Sequence, residues 1–173
     1  SFKSAKDTGL LIGAAINWQS GGETGGTADV DAFNATIDAS LEGPGWNVML
    51  AGYWSHIDPG AGNEIDNFAV ELGGGFFFTE QLEAFARWDG FFLDDDAFGG
   101  DTDIHFATLG MNYYISPESH AAKFTGQVGY CFNETANIFG SGGLISDPSR
   151  YGYLGQGGED GEWSVMFQMQ IVW

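Results

Sequence analysis

The sequence is poor in positive charge. It has 5 Lys and Arg against 24 Asp and Glu, a net charge of −19. So few cations cannot neutralise a run of phosphates, which excludes nucleic acid as a partner. The acidity fits a surface that meets cations or salty water. Cysteine is nearly missing: Cys131 is alone, so no internal disulfide forms. Proline is scarce, at 4 residues. The opening "SFKSAKDTG" lacks the apolar stretch of a secretory signal, so the sequence reads as a mature chain or a fragment. No run approaches 18 apolar residues, which excludes a transmembrane helix. A membrane β-barrel stays open, because its strands are short and alternating. Helical spacing of apolar residues at i, i+3 and i+4 is nearly absent.

What is present is alternation, with 28 Gly and 16% aromatic residues in 173, enough chain for one domain with a core. Period-two patterning predicts eight strands, over 8–19, 29–41, 45–57, 65–78, 82–93, 101–115, 120–133 and 161–173. The connections alternate in length. "EGPG", "TEQ" and "SPES" are short; "SGGETGGTA", "DPGAGNE", "DDDAFGG" and the 27 residues 134–160 are longer. Long and short loops therefore fall at opposite ends of an up-and-down meander, as in outer-membrane barrels, and 134–160 is the expected long extracellular loop.

One face of each strand is apolar, as in Trp46, Val48, Leu50 and Trp54, or Phe68, Val70, Leu72 and Phe76. The other is polar and carries Glu71, Glu83, Arg87, Asp89, Lys123, Gln168 and Gln170. Alternation alone also suits a soluble sandwich. Two features favour a lipid-facing band. Aromatics mark the ends of the apolar face, with Trp46, Trp54, Trp163 and Trp173 as the expected girdle. The strands, at about 12–15 residues, are also long for a sandwich. The final "GEWSVMFQMQIVW" then turns Trp163, Val165, Phe167, Met169, Ile171 and Trp173 to lipid, and its terminal aromatic resembles the assembly signal of bacterial outer-membrane proteins.

The block "FFFTEQLEAFARWDGFFLDDD", followed by "DIHFATLGMNYYISPESHAAKFTGQVGYCFN", resembles the C-terminal part of the phosphate-selective porin O/P family. "FARWD" (Phe85 to Asp89), "TLGMNYYISP" (Thr108 to Pro117) and "HAAKFTGQV" carry the likeness over residues 65–133. The last strand follows moderately, and residues 1–64 only in pattern. The resemblance implies a Gram-negative outer-membrane location, lipid and lipopolysaccharide as neighbours, and a homotrimer. It implies passive diffusion of small ions or hydrophilic solutes, phosphate among them, through sixteen-stranded barrels. This chain would then be the C-terminal half of such an all-β antiparallel barrel. The competing expectation is that its eight strands close alone. Small inward residues such as Gly13, Ala51, Gly73 and Gly110 lean towards the wider pore.

Arg87, Lys123, Glu71, Glu83 and Asp89 are the expected lumen charges. Arg87 could bind anions, or merely pair with Glu83, Asp89 or Glu71. The family's anion selectivity rests by implication on many lumen cations; two here put it in doubt and leave a cation-preferring or general pore open. Asp94, Asp95, Asp96, Asp101 and Asp103 form an expected acidic outer mouth. "DDDAFGGDTD" lacks the EF-hand ligand order, so it reads as a solvated rim. His56, His105 and His120 are scattered, and neither a metal site, a cofactor motif nor a Ser-His-Asp arrangement is visible. The outward set is too apolar for a membrane enzyme. Three functions follow: a passive diffusion pore, a closed non-conducting structural or adhesive barrel, and a soluble β-sandwich or lectin-like binding module.

Overall fold

The computed structural model describes residues 6–23, 29–97, 102–117, 119–133 and 160–172. They form eight strands: β1 (Gly9–Glu23), β2 (Asp29–Gly43), β3 (Trp46–Asp58), β4 (Ile65–Phe77), β5 (Leu82–Phe92), β6 (Asp103–Ser116), β7 (Ser119–Cys131) and β8 (Glu162–Ile171). All belong to one antiparallel sheet in chain order, β1 to β8. The expected meander is therefore the observed one. β1 runs four residues beyond its expected end, through a register shift between Gln19 and Gly22 where Gly21 has φ 77°. A bulge lets the strand absorb extra residues without losing its pairing. Residues 134–159, Asp101 and Trp173 lie outside the described set.

Local chemistry places the turns. Between β2 and β3, Gly45 adopts φ 76°, and its carbonyl accepts from Phe77 N at 2.8 Å. Between β4 and β5, Thr79 Oγ1 accepts from Gln81 N and Leu82 N, while Gln81 Nε2 reaches the carbonyls of Tyr114 and Ile115 at 3.1 Å. These short turns lie at one end of the sheet. At the other end Asp58 Oδ1 accepts from Gly60 N, in a loop where Gly60 and Gly62 have positive φ.

The sheet curls. In a flat sheet β1 and β5 would lie about 19 Å apart, four spacings of roughly 4.8 Å. Instead Ala15 and Asn17 of β1 line the same hollow as Asp89 and Phe91 of β5. Among the described residues β1 pairs only with β2 and β8 only with β7, so no ladder joins the two edges.

The polarity is inverted relative to a water-soluble sheet. On the convex face Ile16, Trp18, Leu109 and Phe167 are 66–84% exposed. On the concave face Asn67, Glu83, Thr108 and Asn112 are buried. An apolar side chain left in water forgoes about 1.5–3 kcal/mol of burial, and a contiguous face of them marks contact with something apolar.

Candidate functional site

The convex face ends in aromatic belts that the register makes continuous. At the long-loop end Trp18 pairs with Phe33, Trp54 with Phe68, Phe68 with Phe92, and Tyr130 with Trp163. Trp54 lies between Phe33 and Phe68, with ring centroids 5.2 and 6.4 Å away, and its Nε1 donates to Asp66 Oδ1 at 2.9 Å. His56 Nδ1 lies 3.1 Å from the same oxygen. His105 joins this belt between Trp88 and Phe92. At the short-turn end Trp46 pairs with Phe76 and packs over Gly43. Trp46 and Trp54 are eight residues apart, about 27 Å along the strand, or roughly 21 Å of height at a 40° tilt. Trp163 is 70% exposed, and Trp173 lies outside the described residues.

The concave face has three levels. At the short-turn end, Glu83 is 6% exposed. Its Oε2 accepts from Asn112 Nδ2 at 2.9 Å and Tyr114 OH at 2.8 Å, while Asn47 Nδ2 approaches Oε1 at 3.4 Å. Thr125 Oγ1 donates onward to Asn112 Oδ1 at 2.6 Å. Phe77, 1% exposed, stacks on Tyr114 at 5.4 Å. Residues of five strands, β3 to β7, thus meet around one buried carboxylate. Gly75 makes room for it: a Cβ there would lie 2.6 Å from Glu83 Oε1.

The middle level is acidic. The ladders align Gly13, Asp38, Ala51, Glu71, Asp89, Phe106, Cys131 and Glu162 in one row across all eight strands. Arg87, one row below, gives its Nε to Asp89 Oδ2 at 2.9 Å. Of the partners open to Arg87, the structure therefore selects Asp89. Glu83 is engaged elsewhere, and Glu71 lies opposite Asp89 on the neighbouring strand. Lys123 pairs across the ladders with Tyr114 and Gln170, its ammonium 6.0 Å from the Tyr114 ring centre. Gln168 lies beside Thr125. These groups are neighbours along one wall, and among the described residues none of these contacts bridges opposite walls.

Towards the long loops, an apolar cluster that takes Phe106 and Cys131 from the middle row meets a polar rim. Leu93, Ile104, Phe106 and Cys131 are buried together, with Phe91 against them. Asp94 organises the rim turn. Its carboxylate accepts from Asp66 N, Asp96 N and Ala97 N at 2.9–3.3 Å, and its own N–H donates to Asn67 Oδ1. Asp95 accepts from Thr102 Oγ1. Asp96 and Asp103 are exposed, and Asp101 lies outside the described residues. Among the described residues the expected solvated acidic rim thus divides into turn-forming carboxylates, Asp94 and Asp95, and exposed ones, Asp96 and Asp103. No metal-holding group of three or more His, Cys, Asp or Glu occurs among the described residues.

Between the middle and rim levels lies a hollow of about 610 Å³ on the concave face. Its inward side chains include Asn17, Asn34, Tyr53, Ser55, Asn67, Glu71 and Asp89. Glu71 and Asp89, expected from sequence as lumen charges, both line this hollow. The sequence did not show that the register aligns Asn17, Asn34, Ser55 and Asn67 side by side. A comparison with family models, curated proteins and solved structures finds no match, and the porin resemblance rests on the residues quoted for it.

Proposed function

We propose that this chain forms the wall of a transmembrane β-barrel of the bacterial outer membrane. Its concave face would line a water-filled passage for small ions and hydrophilic solutes. The observation that carries this reading is the inverted polarity of a curled sheet, apolar and aromatic-belted outside, polar and charged inside. In this arrangement lipid and lipopolysaccharide meet the convex face. The free edges of β1 and β8 then need a backbone partner, because unpaired strand edges are not tolerated in hydrocarbon. Eight strands closing on each other, or further strands completing a wider barrel, would both supply it. Homotrimer formation belongs to the same proposal and follows from the porin resemblance alone.

Charge favours cations over phosphate. Asp38, Glu42, Glu71, Glu83, Asp89 and Glu162 face inward, against Arg87 and Lys123, and Arg87 is already paired. Rings of carboxylates bias a pore towards cations. A second reading has its own support. The Glu83 network and the Phe77–Tyr114 stack fill the short-turn end, as they would in a closed, non-conducting barrel.

The test is reconstitution in planar lipid bilayers under a KCl gradient. Stepwise conductance with a reversal potential on the potassium side is expected. Membrane insertion without conductance would select the closed barrel, and a chloride preference would overturn the charge argument.

A further inference from the structure

We infer that the hollow is a binding site for hydroxylated organic monocations, of which a protonated amino sugar is the simplest class. The inference rests on the concave face being water-filled, as the proposed channel requires. At about 610 Å³ the hollow falls within the range of small-molecule sites, roughly 300–1,000 Å³.

Its chemistry comes in bands. Along the rim side, Asn17, Asn34, Ser55 and Asn67 are successive ladder partners. Each carries a group that both donates and accepts, or donors and acceptors on one amide, which is what a hydroxyl-rich solute requires. Asn67 is 8% exposed, and its orientation is fixed because Oδ1 accepts from Asp94 N at 3.1 Å. Its Nδ2 has no partner among the described residues, and the residue lines the hollow. That Nδ2 is a donor left for water or for a ligand oxygen in the hollow. The next band offers Tyr53 and Phe91, aromatic surface for a sugar's C–H face. Four residues from Asn67, about 13 Å along the strand, comes Glu71, opposite Asp89.

The charge count selects the ligand. Asp89 is neutralised by Arg87 at 2.9 Å. The Glu71 carboxylate makes no hydrogen bond or ion pair among the described residues. The hollow therefore presents one uncompensated carboxylate, which suits a single ammonium. A polyamine brings surplus charge and no hydroxyls. An amino acid brings a carboxylate that no lining cation receives, and a neutral sugar leaves Glu71 unanswered.

The experiment is calorimetric titration of the detergent-solubilised protein with glucosamine below the pKa of its amine, alongside N-acetylglucosamine and cyclohexylamine. The same solutes are then added to single channels in bilayers. Glucosamine is expected to bind about tenfold more tightly than either control, which each lack one half of the recognition. It is also expected to interrupt the current. Glu71→Gln should reduce glucosamine to the level of N-acetylglucosamine while leaving N-acetylglucosamine unchanged. Ser55→Ala should weaken both sugars. Equal affinity for glucosamine and N-acetylglucosamine, or no response to Glu71→Gln, would overturn the inference. Conductance without glucosamine binding refutes this site and leaves the channel standing. Binding without conductance refutes the channel reading and supports the site.

Discussion

Leu109→Arg tests the lipid-facing assignment at one position. Leu109 is at mid-height on the convex face of β6, 66% exposed, and its ladder partners are Ala86 and Val128. No acidic side chain pairs with it across either ladder. In a water-soluble sheet, arginine at so exposed a site changes stability by no more than about 0.5 kcal/mol. On the lipid face of a barrel, arginine near the midplane costs about 2–4 kcal/mol. At a factor of ten per 1.4 kcal/mol, that is roughly a 25- to 700-fold shift in the folding equilibrium. The assay is denaturant titration of the protein in phospholipid vesicles, followed by tryptophan fluorescence. Trp163→Arg serves as the control, because it changes a belt position where the penalty falls to about 0–1 kcal/mol. Equal, near-zero effects at the two positions would refute the reasoning and return the protein to the soluble sandwich.

The same titrations check the interior. Glu83→Leu leaves Asn112 Nδ2 and Tyr114 OH without their acceptor and should cost about 2–4 kcal/mol; a loss under 1 kcal/mol would mean that water replaces the carboxylate. Gly75→Ala would bring a Cβ to 2.6 Å from Glu83 Oε1 and 3.2 Å from Asn47 Nδ2, and should cost about 1–3 kcal/mol. Cys131, 0% exposed with its Sγ donating to Asn133 O at 3.2 Å, should resist maleimide in the folded protein and react on unfolding. Arg87→Ala frees Asp89 and should move the bilayer reversal potential further towards potassium; an unchanged potential would remove this pair from the conducting path.

The eight strands, their order and their two faces were legible in the sequence because each follows from a local cause. Alternation sets the face, as in Val48, Leu50 and Trp54 against Asn47 and Ser55. Residues such as Pro44-Gly45 and Thr79 set the turns. Arg87 and Asp89, two residues apart on one face, were visible as a candidate pair for the same reason. The curl that brings Asn17 of β1 and Asp89 of β5 to one hollow was not legible, since it depends on how twist accumulates over five strands. Nor was register, because period two leaves open which inward residue meets which. Only pairing decided that Glu71 lies beside Asp89, that Asn17, Asn34, Ser55 and Asn67 form one row, and that Glu83 belongs to Asn112 and Tyr114 rather than to Arg87. The sequence by itself determined an apolar face, a polar face and an acidic balance. Within the hollow, the tertiary structure decided that Asp89 is paired and that the Glu71 carboxylate has no partner among the described residues, because that depends on neighbours distant along the chain.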